Sequence, residues 1–131
     1  MIGVDTNVLV RYLVRDDQSQ FERARKLISR KTGAGEKVLV SPLVLLETEW
    51  VLRSRYAVPK ADIVGAFSAL LDAAEVYFED ESSVEAALYT WKDSVAEFAD
   101  CLIAARHSRL GCGATATFDQ RALAVAGFVA A

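Results

Sequence analysis

The first ten residues, MIGVDTNVLV (1–10), place a carboxylate in the middle of an apolar run. Residues 1–5 predict a short buried strand that ends at Asp5, and residues 6–14 continue as a helix for which Thr6 is a candidate N-cap. A carboxylate at the end of a buried strand loses hydration, so a donor or a cation must offset that loss. Asp5 therefore raises the question of which groups elsewhere in the chain accept its charge.

The length and composition indicate one globular domain over residues 1–131. Hydrophobic residues make up 53% of the chain and charged residues 25%, which is typical of a packed core and excludes a disordered chain. Cys101 and Cys112 have neither metal-ligand spacing nor a disulfide framework, so we expect two buried thiols in a reducing compartment. The absence of a secretory leader and of a bilayer-spanning run predicts a cytoplasmic protein without a membrane partner.

The charge is unevenly distributed along the chain. Residues 1–60 carry 11 Lys or Arg and 7 Asp or Glu, whereas residues 61–131 carry 4 and 11, which together give the net charge of -3. Such asymmetry can steer a polyanion to one side of a molecule, although ordinary solvated helix faces would give the same count.

Short apolar segments alternate with helical patterns. The predicted strands cover 1–5, 37–41, 75–79, 112–117 and 128–131. The predicted helices cover 6–14, 19–30, 43–55 and 61–74, then two that begin at the S-x-x-E patterns Ser82–Glu85 and Ser94–Glu97, and a last one over 118–127. This alternation predicts an α/β fold: a parallel sheet of four to five short strands flanked by helices on both faces. Sites in such folds lie beyond the carboxyl ends of the strands.

Local structure explains most of the acids but leaves four unexplained. Glu47 has only apolar neighbours three and four residues away, whereas Glu49 has Arg53 four residues on and is the predicted surface ion pair. Asp100, in the first turns of its helix, has no basic neighbour at that spacing. Asp5 and Asp119 both follow predicted strands, where each could instead cap a helix.

These four acids, Asp5, Glu47, Asp100 and Asp119, could all project to one edge of the sheet. An all-carboxylate cluster suits a hard divalent ion, Mg²⁺ or Mn²⁺, and such ions act chiefly on phosphates. On this interpretation a metal ion accepts the charge of Asp5.

Four stretches resemble the PIN-domain ribonucleases, in particular the VapC-type toxins of bacterial toxin–antitoxin pairs. The matching stretches are VDTNVLVRYL (4–13), SPLVLLETEWVLRSRY (41–56), FADCLIAA (98–105) and TATFD (115–119). They occur in the family's order, and the resemblance covers essentially the whole chain. The resemblance implies a PIN-like fold and Mg²⁺- or Mn²⁺-dependent endonucleolytic cleavage of RNA, with Asp5, Glu47, Asp100 and Asp119 as metal ligands and catalytic acids.

The same resemblance extends to supporting residues and partners. Asn7 and Thr117 would be supporting polar groups, and Glu97 stands where many relatives carry an aspartate, so it is either a site residue or a helix cap. It also implies a homodimer and a cognate antitoxin that covers the site. Arg11 and Arg15, and with them Arg53 and Arg55, are candidates for RNA phosphate contacts, or for simple solvation and helix pairing. His107 is expected at a surface or interface rather than as a general base.

Two other functions fit parts of the pattern. A receiver-like signalling domain also has an acidic Mg²⁺ pocket, but it requires paired acids after the first strand, and here Asp5 stands alone. A catalytically inactive interaction domain would keep the core and lose site acids, whereas all four acids are present.

Overall fold

The chain has an α/β fold, as the alternation of elements predicts. A computed structural model describes all 131 residues and contains six α-helices and five short parallel strands. The chain divides into two compact units, Met1–Glu79 and Asp80–Ala131. The strands pair within each unit, giving a three-stranded sheet in the first and a two-stranded sheet in the second.

The first unit is a three-stranded parallel sheet whose strands are connected through helices. Its elements are β1 (Ile2–Gly3), α1 (Thr6–Val14), α2 (Gln18–Gly33), β2 (Val38–Val40), α3 (Pro42–Ser54), α4 (Lys60–Asp72) and β3 (Val76–Phe78). The order is β1-β2-β3, with Ile2 opposite Val38 and Val38 opposite Val76. Parallel strands must be joined by a crossover connection. Helices α1 and α2 connect β1 to β2, and helices α3 and α4 connect β2 to β3. Both Asp5 and the start of α3 thereby follow the carboxyl end of a strand.

The start of α3 agrees with the sequence prediction and fixes the helix that carries Glu47. Ser41 is the N-cap, and its side-chain oxygen accepts a hydrogen bond from the backbone N–H of Val44 at 3.3 Å. Pro42 occupies the first turn, where its missing N–H costs nothing. The inner face of α3 is fully buried at Leu45 and nearly so at Leu52, which anchors the helix against the core.

The second unit packs two helices and a two-stranded parallel sheet. Its elements are α5 (Glu81–Trp91), α6 (Phe98–Arg109), β4 (Thr115–Thr117) and β5 (Phe128–Ala130), with Thr115 opposite Phe128. The rings of Trp91 and Phe98 meet at 5.1 Å between centroids and 56° between planes, where α5 gives way to α6. Both rings are buried, so this contact sets where α6 begins.

Both predicted capping boxes are wrong. Asp80, not Ser82, precedes α5, and Ser82 lies within the helix. Helix α6 begins at Phe98 with Glu97 as its N-cap, while Ser94 Oγ accepts from the N–H of Ala96 in the preceding turn. The start of α6 coincides instead with a capping box of Glu97 and Asp100, in which the Glu97 N–H donates to Asp100 Oδ2 at 3.3 Å, and with the burial of Phe98.

Two further expectations are corrected. Residues 118–127 form no α-helix but only a 3₁₀ turn, Ala122–Ala124, with Ala122 and Val125 buried. The segment must return from the end of β4 to the start of β5, and this parallel crossover leaves no room for a full helix. Of the two thiols, Cys101 is buried as expected, but Cys112 is exposed. None of the six helices combines the length and apolar character that crossing a bilayer requires.

Candidate active site

Asp5 is tolerated at the end of β1 because it caps the next helix. Its backbone is extended, and its Oδ1 accepts a hydrogen bond from the N–H of Thr6 at 2.8 Å. Asp5 is thus the N-cap of α1, in place of Thr6, which is itself buried. The carboxylate is exposed and forms no ion pair, so its charge remains available to a ligand.

A hollow of about 510 Å³ brings Asp5, Asn7 and Glu47 together in the first unit. The other residues around it contribute positive charge and two aromatic rings: Thr6, Val10, Arg11, Trp50, Val51, Arg55 and Tyr56. Trp50 remains 50% exposed and lies one helical turn beyond Glu47. The hollow therefore combines carboxylates, arginines and an aromatic ring, groups suited to metal, phosphate and base contacts respectively.

Glu47 and Glu49 have the reverse of the expected exposure. Glu49 is only 3% exposed and accepts from Arg53 Nε at 2.9 Å, so the predicted ion pair exists but its carboxylate is buried. Glu47 is exposed, because its apolar neighbour Leu43 is itself 79% exposed. The apolar neighbours of Glu47 therefore do not bury it. Its position beside Asp5 is what makes it a candidate.

The second unit gathers Glu97, Asp100 and Asp119. Asp100 is half-buried, and burial is the main cause that raises the pKa of its carboxyl group. The charges of Asp119 and Glu97 raise this pKa further, while a hydrogen bond from the N–H of Glu97 (3.3 Å) and the charge of Arg121 lower it. The charges of Asp119 and Glu97 therefore both act on Asp100, and Glu97 is one of its like-charged neighbours.

Asp119 is held by a turn that follows β4. Its backbone N–H donates to Thr117 Oγ1 at 3.0 Å, and its Oδ1 accepts from the N–H of Arg121 at 2.9 Å. Arg121 also donates through Nη2 to the carbonyl of Val95 at 2.8 Å. Thr117 thus positions the backbone of Asp119. Asp119 does not cap a helix, since the later 3₁₀ turn is preceded by Arg121.

The two arginines expected to contact phosphate differ in their surroundings. Arg11 donates to Gln20 Oε1 at 2.6 Å, to Asp16 Oδ1 at 2.9 Å and to the Tyr56 hydroxyl at 2.9 Å. Its charge is therefore paired, and it links α1 to α2 and to the end of α3. Arg15 has left-handed backbone geometry, and its guanidinium lies over the Phe21 ring at 4.6 Å from the centroid. Arg55 lines the hollow beside Glu47.

Comparison with protein families matches the PIN domain over residues 2–128. The chain belongs to the PIN domain family. PIN domains are nucleases, and as a rule they depend on divalent metal ions. A comparison with curated proteins gave no match. Membership accounts for the parallel α/β architecture and argues against the receiver-like alternative.

The residues of this PIN domain fit a hard divalent ion by their chemistry. Asp5, Glu47, Asp100 and Asp119 offer only carboxylate oxygens, the ligands that Mg²⁺ and Mn²⁺ prefer. The like charges that raise the pKa of Asp100 are those that a bound cation would offset. No group of three or more histidine, cysteine, aspartate or glutamate side chains is close enough to hold a metal ion as the structure stands.

Asp80 is a buried acid that the sequence analysis of the PIN domain did not single out. Its side chain is 3% exposed and accepts from Ser83 (2.6 Å) and Arg106 (2.7 Å), with Arg109 at 2.6 Å. Burial alone would raise the pKa of Asp80, but these hydrogen bonds and charges hold it below its ordinary value. The signal in the sequence that could have identified it is the pair Arg106 and Arg109, which lie on one face of α6 with no acid three or four residues away to pair with them.

His107 has a structural partner in the PIN domain. Its Nδ1 forms a hydrogen bond with Thr115 Oγ1 at 2.9 Å, which connects α6 to β4. The ring is half-buried. This contact gives His107 a role in packing and leaves the general-base function without support.

Proposed function

We propose that this PIN domain is a metal-dependent endoribonuclease and the VapC-type toxin of a toxin–antitoxin pair. The observation that carries the proposal is the environment of Asp100. A half-buried carboxylate with Asp119 and Glu97 as like-charged neighbours costs folding free energy, and no lysine or arginine forms an ion pair with it. A site that is unfavourable for the empty protein is typical of function, and a divalent cation is the ligand that would offset it.

Asp5, Glu47, Asp100 and Asp119 would hold Mg²⁺ or Mn²⁺. The ion, when bound, supplies a more acidic water and neutralises charge on the phosphate. The protein supplies the remaining parts from its own residues. The Thr6 N–H holds the carboxylate of Asp5, and Thr117 holds the backbone of Asp119, so both acids are positioned before substrate binds.

RNA contacts in the first unit follow from the lining of its hollow. Arg55 is exposed beside Glu47, where it can donate to a phosphate oxygen. Trp50 offers a half-exposed ring on which an unstacked base can lie, a contact worth about 1–3 kcal/mol per base. These contacts favour single-stranded RNA, because a base inside a duplex is not available to stack on a side chain.

The test is cleavage of end-labelled RNA by purified protein with Mn²⁺ or Mg²⁺, and again with EDTA. We expect internal cleavage that needs the metal and that is lost in Asp119→Asn. Asp93→Asn is the matched control, because Asp93 is an exposed acid in the same unit, between α5 and α6. A folded parent protein without cleavage at any metal concentration would favour the catalytically inactive interaction domain.

The toxin role needs a separate test in cells. Induced expression of the chain alone should arrest bacterial growth, and co-expression of a short neighbouring open reading frame should restore it if that frame encodes the antitoxin. Mapping new 5′ ends of cellular RNA after induction would identify the target. If the cells grow normally while the purified protein cleaves RNA with metal, the endoribonuclease proposal stands and the toxin proposal is wrong.

A further inference from the structure

A second hollow in the first unit lies between α1 and α2. It measures about 570 Å³ and is lined by Asn7 and Arg11 from α1 and by Gln20 and Arg23 from α2, together with small and apolar side chains. No acid lines it, unlike the hollow that contains Asp5 and Glu47. We call it the α1–α2 groove.

The α1–α2 groove is continuous with the hollow around Asp5 and Glu47. Asn7 and Arg11 line both, and they stand one helical turn apart on α1. A chain bound beside Asp5 therefore meets, at Asn7 and Arg11, residues that also line the groove. This continuity favours a polymer that extends from the candidate site over a protein segment that binds the groove alone.

Arg23 is the uncompensated positive charge of the groove. It is exposed and forms no ion pair or side-chain hydrogen bond, whereas Arg11 is paired with Asp16 at 2.9 Å. On the same helix Arg25 is also neutralised, by Glu22 at 2.9 Å. A guanidinium that is solvated, unpaired and beside neutral donors is suited to a phosphate.

We propose that the α1–α2 groove binds RNA backbone phosphates next to the scissile one, with Arg23 as the principal cation and Asn7 and Gln20 as neutral donors. The proposal rests on the ribonuclease function proposed above and adds the path of the substrate. It assigns Arg11 a positioning role, since its hydrogen bond to Gln20 joins the two helices that line the groove and its bonds to Asp16 and Tyr56 hold the guanidinium in place.

The salt dependence of RNA binding tests the groove. Labelled single-stranded RNA is titrated into Asp119→Asn protein, which does not cleave it, at 50 and 200 mM salt. Each phosphate contact adds about 0.7 to the steepness of the plot of log affinity against log salt, so Arg23→Gln should flatten that slope by about 0.7. Between 50 and 200 mM salt, the affinity of this variant should therefore fall by a factor about 2.6 times smaller than the affinity of the protein with Arg23. Arg25→Gln removes the same charge from the same helix outside the groove and should leave the slope unchanged.

Two further measurements complete the test. Arg23→Lys should restore the slope, because a lysine is also a phosphate-binding charge. In the cleaving protein, Arg23→Gln should raise KM for RNA and leave kcat unchanged, since the groove lies beside the reacting phosphate and not at it.

The outcomes separate the two proposals. If the parent cleaves RNA but Arg23→Gln binds with unchanged slope and KM, the groove assignment is wrong and the ribonuclease stands. The same conclusion follows if Arg23→Gln weakens only the binding of a partner protein, which would make the groove a protein interface. If the folded parent neither cleaves nor binds RNA, the ribonuclease proposal fails, and the substrate path fails with it.

Discussion

Asp119 adds a negative charge to the surroundings of Asp100, whose pKa burial already raises. Both acids belong to the second unit, one on α6 and the other after β4, and Glu97 adds a third charge. A carboxyl group whose folded-state pKa is raised stabilises the fold below its unfolded pKa and loses that contribution as pH rises through the folded value. Burial and these neighbouring charges disfavour the ionised form of Asp100 in the folded protein, so its ionisation opposes folding.

We expect Asp100→Asn to raise the melting temperature in EDTA, because the amide removes one repelling charge and keeps an oxygen for the Glu97 N–H. It should also reduce the stabilisation by Mg²⁺ or Mn²⁺, which for the parent is about 2.7 kcal/mol at a hundredfold excess over Kd. Thermal melts at constant ionic strength measure both. Asp93→Asn is the control, since buried Glu49 cannot serve as a neutral site. If Asp100→Asn melts at a lower temperature than the parent in EDTA and is stabilised by metal as much as the parent, Asp100 serves only as a helix cap and is not a metal ligand.

We expect Asp5→Asn to abolish activity and leave the fold intact. Asparagine is as good an N-cap as aspartate, so the hydrogen bond to Thr6 N–H is retained and stability changes by only a few tenths of a kcal/mol. Loss of the charge should reduce RNA cleavage on the order of a hundredfold, the usual cost of removing one group that stabilises a transition state. Relief of growth arrest at equal protein abundance is the cellular measurement. An equally abundant variant that stays fully toxic would remove Asp5 from the site.

We expect Asp80→Asn to destabilise the second unit without touching the candidate acids. Hydrogen bonds to a charged group contribute about 1.5–3 kcal/mol, and the low end applies because Arg106 and Arg109 are 41% and 54% exposed. The pKa of Asp80 is lowered, so its contribution is present above the unfolded value of 3.8 and is lost as pH falls below it. Urea unfolding at neutral and acid pH measures this, with exposed Asp72→Asn as control. If Asp80→Asn has the same free energy of unfolding as the parent at neutral pH, the ion pairs of Asp80 do not stabilise the second unit.

We expect a homodimer in solution. The mean hydropathy is +0.20, and large apolar side chains remain exposed, among them Leu43 at 79% on α3. Apolar surface of this kind often marks an interface. Light scattering at micromolar concentration, without any partner, should give twice the monomer mass, and Leu43→Glu should weaken the association if α3 contributes to it. A monomer for the parent protein would exclude the homodimer.

The sequence alone determined the order of elements and the start of α3. Short apolar strands and longer amphipathic helices differ in period, so their alternation identifies a parallel α/β fold without reference to neighbours. Ser41 and Pro42 fix a helix start through local backbone chemistry, and the structure retains both roles. The position of Asp5 after β1 was equally local, although its capping role took the place expected of Thr6.

Only the tertiary structure decided which acids are buried and where the later helices begin. Spacing predicted the ion pair of Glu49 with Arg53 but not which of Glu47 and Glu49 is buried, because burial depends on what covers each face of α3, and apolar Leu43 is exposed. The capping box predicted at Ser94 gave way to one at Glu97 and Asp100, where Phe98 is buried, and spacing alone does not show which large ring the core takes up. The helix expected over residues 118–127 is likewise only one 3₁₀ turn. These residues connect β4 to β5, and the parallel pairing of the two strands determines where β5 must begin.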